Sequence, residues 1–212
     1  MAVTVRRLGV MGGSFDPVHI AHLIVADTVR EALHLDLVLF VPVAAQPLKP
    51  DKPVASASHR LAMLYLAVEG NPYFAVSRVD VDRPAPSYTV DTMEHLRRQW
   101  GGPDEVQMWF ILGSDSLSTF PQWRDPEHIL ALTRLAVVRR PGTEPDMNLL
   151  QSRLPALANA VDFVDAPLIQ ISSRDLRRRV AEGCSIRYRV PEPVRHYIEA
   201  HNLYRRHTQR TG

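Results

Sequence analysis

The chain has 212 residues, a size that suits one domain with room for a small appendage. Its hydrophobic fraction of 45% supplies a substantial core, while no apolar run approaches the roughly 20 residues of a bilayer span and the first residues carry no apolar signal-peptide core. A net charge of +2 is too mild for a nucleic-acid binder, and a single cysteine, Cys184, excludes an internal disulfide framework and fits a reducing cytoplasm.

The first predicted element is a short buried strand, Leu8 to Met11. The segment Gly12-Gly13-Ser14-Phe15-Asp16-Pro17-Val18-His19-Ile20-Ala21-His22 follows, and a helix is predicted from Ile20 to Leu33. Two glycines let the backbone turn and approach a ligand. Asp16 holds the turn by hydrogen-bonding local backbone, and Pro17 fixes the chain just before the helix. His19 and His22, three apart, share one face of the first helical turn. Unpaired N–H groups and the positive end of the helix dipole favour an anion there. Two imidazole donors at that place make a phosphate site. By itself a histidine pair at a helix start is often plain polar surface. Zinc fits less well, because helical zinc pairs use i, i+4 spacing with further ligands.

A second strand is predicted over 36–41, then a Pro-rich surface loop from Gln46 to Pro53 that carries the only lysines, Lys49 and Lys52. A helix over 59–68 and a strand over 74–81 follow. Pro86-Ser87-Tyr88-Thr89 opens a helix over 89–100 and offers N–H groups to a small anion, although Ser87 and Asp91 also read as ordinary capping. The strand over 106–112 contains Trp109, read as core. It ends in Gly113-Ser114-Asp115-Ser116. There the glycine admits a ligand, and Asp115 can accept from ribose hydroxyls or cap a helix. Phe120-Pro121-Gln122-Trp123 sets an indole in a loop beside strand ends, where it can stack on a flat ring. A helix over 126–132, a strand over 134–139, a helix over 148–157 and a weaker strand over 161–164 come next. Ser172 or Ser173 caps a helix over 172–181, with Asp175 placed as in a capping box and Arg177 one turn in. Most of the late arginines read as solvated helix faces, with a few serving phosphates. A last helix spans 193–201, and the basic stretch Arg205 to Gly212 frays as a tail.

This alternation predicts an α/β, Rossmann-like, doubly wound parallel sheet: one domain over 1–204 with a small C-terminal helical part. In such sheets ligands bind at the carboxyl ends of strands, near a switch in strand order.

The segment from Gly12 to His22 resembles the signature of the nucleotidylyltransferase superfamily, with Ala21 where that pattern usually has Gly. Ile171-Ser172-Ser173-Arg174-Asp175-Leu176-Arg177 resembles its late Ile-Ser-x-x-x-[Ile/Leu]-Arg element, and Gly113-Ser114-Asp115 its Gly-x-Asp element. Ala85-Pro86-Ser87-Tyr88-Thr89 and Phe120-Pro121-Gln122-Trp123 are similar to one subfamily, the bacterial nicotinate-mononucleotide adenylyltransferases. Leu48-Lys49 stands where that subfamily has His-Lys or His-Arg. The likeness runs from Leu8 to about Tyr204, including Val194-x-x-Tyr197-Ile198. The resemblance implies a cytoplasmic transfer of the adenylyl group of ATP to nicotinate mononucleotide, with Mg²⁺ carried in by ATP and no dedicated protein metal site. It implies ATP contacts from Gly12, Gly13, Ser14, Phe15, His19, His22, Gly113, Asp115, Ile171, Ser172, Ser173 and Arg177, with His19, His22 and Arg177 catalytic. It implies mononucleotide contacts from Ser14, Asp16, Lys49, Tyr88, Thr89 and Trp123. Neither nucleic acid nor membrane is expected as a partner, and a homo-oligomer stays open. Alternatives are a relative acting on nicotinamide mononucleotide or phosphopantetheine, and a nucleotide-sensing module without turnover.

Overall fold

Along the strand Gln107–Gly113 the run Met108-Trp109-Phe110-Ile111-Leu112 is buried throughout, and its side chains alternate between two separate cores. Trp109 and Ile111 enter one; Met108, Phe110 and Leu112 enter the other. A strand buried on both faces must be apolar at every position, and a sheet of such strands needs helices on both sides. The structure, a computed structural model, describes residues 5–43, 55–139 and 144–205. Its strands are β1 (Arg7–Gly13), β2 (Leu37–Pro42), β3 (Phe74–Val76), β4 (Gln107–Gly113), β5 (Arg134–Arg139) and β6 (Val161–Asp165). They form one sheet in the order β3-β2-β1-β4-β5-β6, all pairs parallel.

The helices are α1 (Ile20–Ala32), α2 (Ala57–Val68), α3 (Thr89–Trp100), α4 (Ser114–Thr119), α5 (Pro126–Leu132), α6 (Met147–Arg153), α7 (Ser173–Ala181) and α8 (Glu192–Ala200). One core gathers residues of α1, α2, α7 and α8; the other gathers residues of α3 to α6. The chain leaves β1 toward β2 on one side and later returns to β4 on the other, so the switch in strand order lies between β1 and β4. The expected doubly wound sheet is present, and α7 and α8 form the C-terminal helical part. No helix of the described residues is long and apolar enough to cross a membrane.

Two predicted elements differ, and one short helix is added. The strand expected over 74–81 stops at Val76, because Asp80, 2% exposed, turns inward to accept from the Thr92 hydroxyl at 2.6 Å and from Arg83. The helix expected over 148–157 ends at Arg153, and Pro155, which cannot donate to a preceding turn, starts a separate 3-10 turn. The short helix α4 was not expected; Ser114 to Thr119 holds mostly poor helix formers. The Pro-rich loop, Lys49 included, lies outside the described residues, as does the tail after Arg205.

Candidate active site

The turn after β1 is built differently from the reading of its glycines. Gly12 and Gly13 are the last residues of β1, paired in register with Val41 and Pro42. The left-handed residue is Phe15, at φ 47°. The glycines supply space. A Cβ on Gly13 would stand 3.1 Å from the Phe15 ring, which folds back into the core at 1% exposure. That ring meets His22 edge-on at 5.0 Å. Phe15 therefore backs the site from beneath and does not line it.

His19 is the N-cap of α1, and its ring stacks on that of His22 at 3.6 Å. The His19 backbone N–H donates to His22 Nδ1 at 3.2 Å. An accepting Nδ1 places the proton of a neutral His22 on Nε2, where it is a donor. His19 is 5% exposed, and its Nδ1 has no hydrogen-bond partner among the described residues. Burial lowers its pKa from 6.5 to about 4, so it is a neutral imidazole at pH 7. One N–H of this helix start is already used: Ile20 donates to the Arg189 carbonyl at 3.0 Å.

The His19 shift carries a pH prediction. The unfolded chain takes up this proton near pH 6.5, and the folded chain does so only near pH 4. The contribution to stability is complete above pH 6.5 and is lost as pH falls toward 4, to a total of roughly 3 kcal/mol. Denaturant melts at pH 7 and pH 5 should therefore show a smaller acid loss for His19→Gln than for the unmodified protein. Equal losses in both would remove His19 as their source.

The late helix start meets the early one. Ser172 caps α7 by accepting from the Asp175 N–H at 3.1 Å, while Asp175 turns to Arg178 and does not complete a capping box. Ser173 Oγ donates to the Pro17 carbonyl at 2.9 Å, and Arg177 Nη1 donates to the Asp16 carbonyl at 2.8 Å. The same Nη1 lies 3.6 Å from Asp16 Oδ2. Residues 16–17 and 173–177, far apart in sequence, thus form one wall.

These walls bound an open cleft of about 1360 Å³ at the carboxyl ends of β1 and β4. Gly12, Gly13, Ser14, Asp16, His19, Ala21, His22, Gly113, Ile171, Ser172, Ser173 and Arg177 line it, as do Tyr88, Thr89 and Trp123. The Ala21 methyl thus stands at the cleft itself. Trp123 is half-buried, with its ring 5.2 Å from Phe120 and 5.9 Å from Phe110, edge-on to the latter. Trp109 is core as expected; its indole N–H donates to Asp162 at 2.8 Å. Asp115 departs from the expectation. As the second residue of α4 its side chain is exposed and outside the cleft lining, whereas Gly113 and Ser116 line it. Most late arginines outside the cleft are tied to neighbours, Arg178 to Asp175 and Glu182, Arg195 to Glu192 and Glu199. Among the described residues no group of three or more His, Cys, Asp or Glu gathers to hold a metal ion.

Four further residues belong to the site and were not singled out from sequence. Arg60, 1% exposed, donates from Nη1 to the Ser14 and Val43 carbonyls at 2.8 and 2.9 Å. Asp80 and Thr92 line the cleft behind Tyr88. The Arg124 guanidinium lies 4.7 Å over the Tyr88 ring and 3.7 Å from Asp91. Only Arg124, adjacent to Trp123, had a sequence signal, since a cation beside a candidate stacking ring is informative. The others are placed by contacts across the fold.

Fold and site together define a doubly wound α/β protein with a nucleotide-sized cleft at its topological switch point. The chain belongs to the cytidylyltransferase-like family, whose model matches residues 10–179. It is 49% identical over 94% of its length to a Thermomicrobium roseum protein named "Probable nicotinate-nucleotide adenylyltransferase", covering 92% of that relative. It is 48% identical over 93% of its length to a Roseiflexus protein of the same name, covering 98% of it. The fold also matches the structure titled Plasmodium falciparum nicotinic acid mononucleotide adenylyltransferase complexed with APC, with a TM-score of 0.73 and 18% identity. That match covers 94% of this chain and 97% of that one.

Proposed function

We propose that the protein transfers the adenylyl group of ATP to nicotinate mononucleotide, giving deamido-NAD and pyrophosphate. The observation that carries this reading is the two-sided cleft. His19, His22 and Arg177 stand on walls joined through Asp16 and Pro17, and Trp123, Tyr88 and Thr89 line the same space. The names of relatives almost half identical over nearly the whole chain agree with it.

In this mechanism an oxygen of the mononucleotide phosphate attacks the α-phosphorus of ATP in line. The new P–O bond forms as the bond from the α-phosphorus to the bridging oxygen of the β-phosphate breaks, and pyrophosphate leaves with the electron pair. No covalent enzyme intermediate is required. Catalysis is positioning plus stabilisation of charge on the phosphates. His22 donates from Nε2, neutral His19 supplies a second imidazole, and Arg177 supplies a fixed positive charge. Gly12, Gly13 and Ser14 let the phosphates approach the end of β1. Gly113, at the end of β4, leaves room for the ribose, and Ile171, Ser172 and Ser173 line the phosphate side. Mg²⁺ carried with ATP would supply charge neutralisation on the triphosphate, next to the donors His19, His22 and Arg177. The reading places the enzyme in the cytoplasm. Pyrophosphate release with ATP and each of nicotinate mononucleotide, nicotinamide mononucleotide and phosphopantetheine tests it. Release with none of them would leave a sensing module.

The acid substrate should be preferred over the amide by roughly ten- to a hundredfold in kcat/KM. Tyr88 is the N-cap of α3, so the start of that helix, with its first N–H groups and positive dipole end, lines the same cleft as Trp123. Arg124 adds a guanidinium over Tyr88. A carboxylate accepts from these donors, while a carboxamide presents an –NH₂ that faces them. Equal kcat/KM for the two mononucleotides would remove this placement of the pyridine substituent and leave adenylyl transfer standing.

A further inference from the structure

Asp16 is 1% exposed and sits at the centre of the catalytic turn. Its carboxylate oxygens face different neighbours. Oδ1 accepts from the Tyr204 hydroxyl at 2.7 Å and from the Ala55 backbone N–H at 3.2 Å. Oδ2 faces Arg177 Nη1 at 3.6 Å, and that nitrogen also donates to the Asp16 carbonyl at 2.8 Å. The donors on Oδ1 set the rotation of the carboxylate, and the rotation sets where Oδ2 meets the guanidinium.

Tyr204 comes from the other end of the chain, just past α8. Its backbone is left-handed, at φ 63°, a conformation bulky side chains rarely adopt. Such a residue persists only where its surroundings determine it, and it points to a use for the side chain so placed. The residue is partly buried and packs against the core on one face of the sheet, and its hydroxyl reaches Asp16. Burial first, then the Asp16 charge, raises the hydroxyl pKa well above the usual tyrosine range, so the group is a donor at neutral pH.

We propose that Tyr204 is a positioning residue for adenylyl transfer: its hydroxyl orients the Asp16 carboxylate and, through it, the Arg177 guanidinium that faces the ATP phosphates. This rests on the phosphate role of Arg177 given above. A phenyl ring would fill the same core space, so the hydroxyl alone carries the effect.

The test is a double-mutant cycle on the full-length enzyme with Tyr204→Phe, Arg177→Lys and both together, reading kcat, both KM values and melting temperature. Assays run at least ten degrees below each variant's melting point keep folding out of the comparison. Tyr204→Phe should lower kcat about 10-fold or more, because misplacing a group at the reacting centre is costly, with the KM for the mononucleotide within twofold. Arg177→Lys should also be impaired, since lysine lacks the fork. The double variant should then be no worse than Arg177→Lys alone, because both changes act on one contact. Unchanged kcat in Tyr204→Phe beside an impaired Arg177→Lys would overturn the proposal alone, as would losses that multiply in the double variant. A lower melting temperature with unchanged kcat would make the hydroxyl purely structural and overturn it too. Wild-type kcat in Arg177→Lys would overturn the phosphate role of Arg177 and this proposal with it.

Discussion

His22→Ala is expected to lose about 10²- to 10³-fold in kcat, the usual cost of removing one donor aimed at charge that develops in the transition state. The imidazole is suited to that role by its surroundings. Its Nδ1 is engaged by the His19 N–H, its face lies on the His19 ring, and the Phe15 ring supports its edge. The remaining nitrogen is therefore a donor held without freedom to turn, so the reaction does not have to order it. Folding should suffer little, because the residue is only half-buried at a helix start and the backbone-to-side-chain bond it accepts is worth about 1 kcal/mol. Pyrophosphate release and a thermal melt on one preparation check both halves. More than half the wild-type kcat would sink the assignment.

The parts of the molecule that were legible in sequence are those whose causes are local. A short unbroken apolar run such as Met108 to Leu112, ended by Gly113, reads as a strand buried on both faces, and the histidines three apart after a strand and a turn read as a helix start suited to an anion. Parallel strands alternating with amphipathic segments then bring strand ends and helix starts to one edge, so the early and late motifs had to meet there. The rest depends on distant partners. Phe74 to Val81 looks like one strand until Asp80 finds Thr92 and Arg83. Arg60 carries no signal of its own in the predicted helix over 59–68, yet it is buried and donates to the Ser14 and Val43 carbonyls. Tyr204 and Asp16 are 188 positions apart, and no spacing rule reaches that far. The glycines show the reverse error: the pair suggests a turn, but both end β1, and Gly13 clears room for the Phe15 ring.

Trp123→Ala is expected to raise the KM for nicotinate mononucleotide by roughly 5- to 150-fold, the equivalent of 1–3 kcal/mol for stacking an aromatic side chain on a flat ring. The KM for ATP should stay within twofold. The structure refines the choice between a stacking and a core tryptophan. The indole packs on Phe110 and Phe120 with part of its surface and lines the cleft with the rest. Truncation must therefore also cost some melting temperature, and a lower melting point alone does not argue against stacking. Discrimination comes from the two KM values and from Trp123→Phe. A phenyl ring keeps a flat face at the cleft while losing area, so this variant should fall between wild type and alanine in mononucleotide KM. A core tryptophan gives a different pattern: both substrates weaken alike, and activity recovers in step with melting temperature. Equal increases in the two KM values for Trp123→Ala, assayed well below its melting point, would take the pyridine ring away from Trp123.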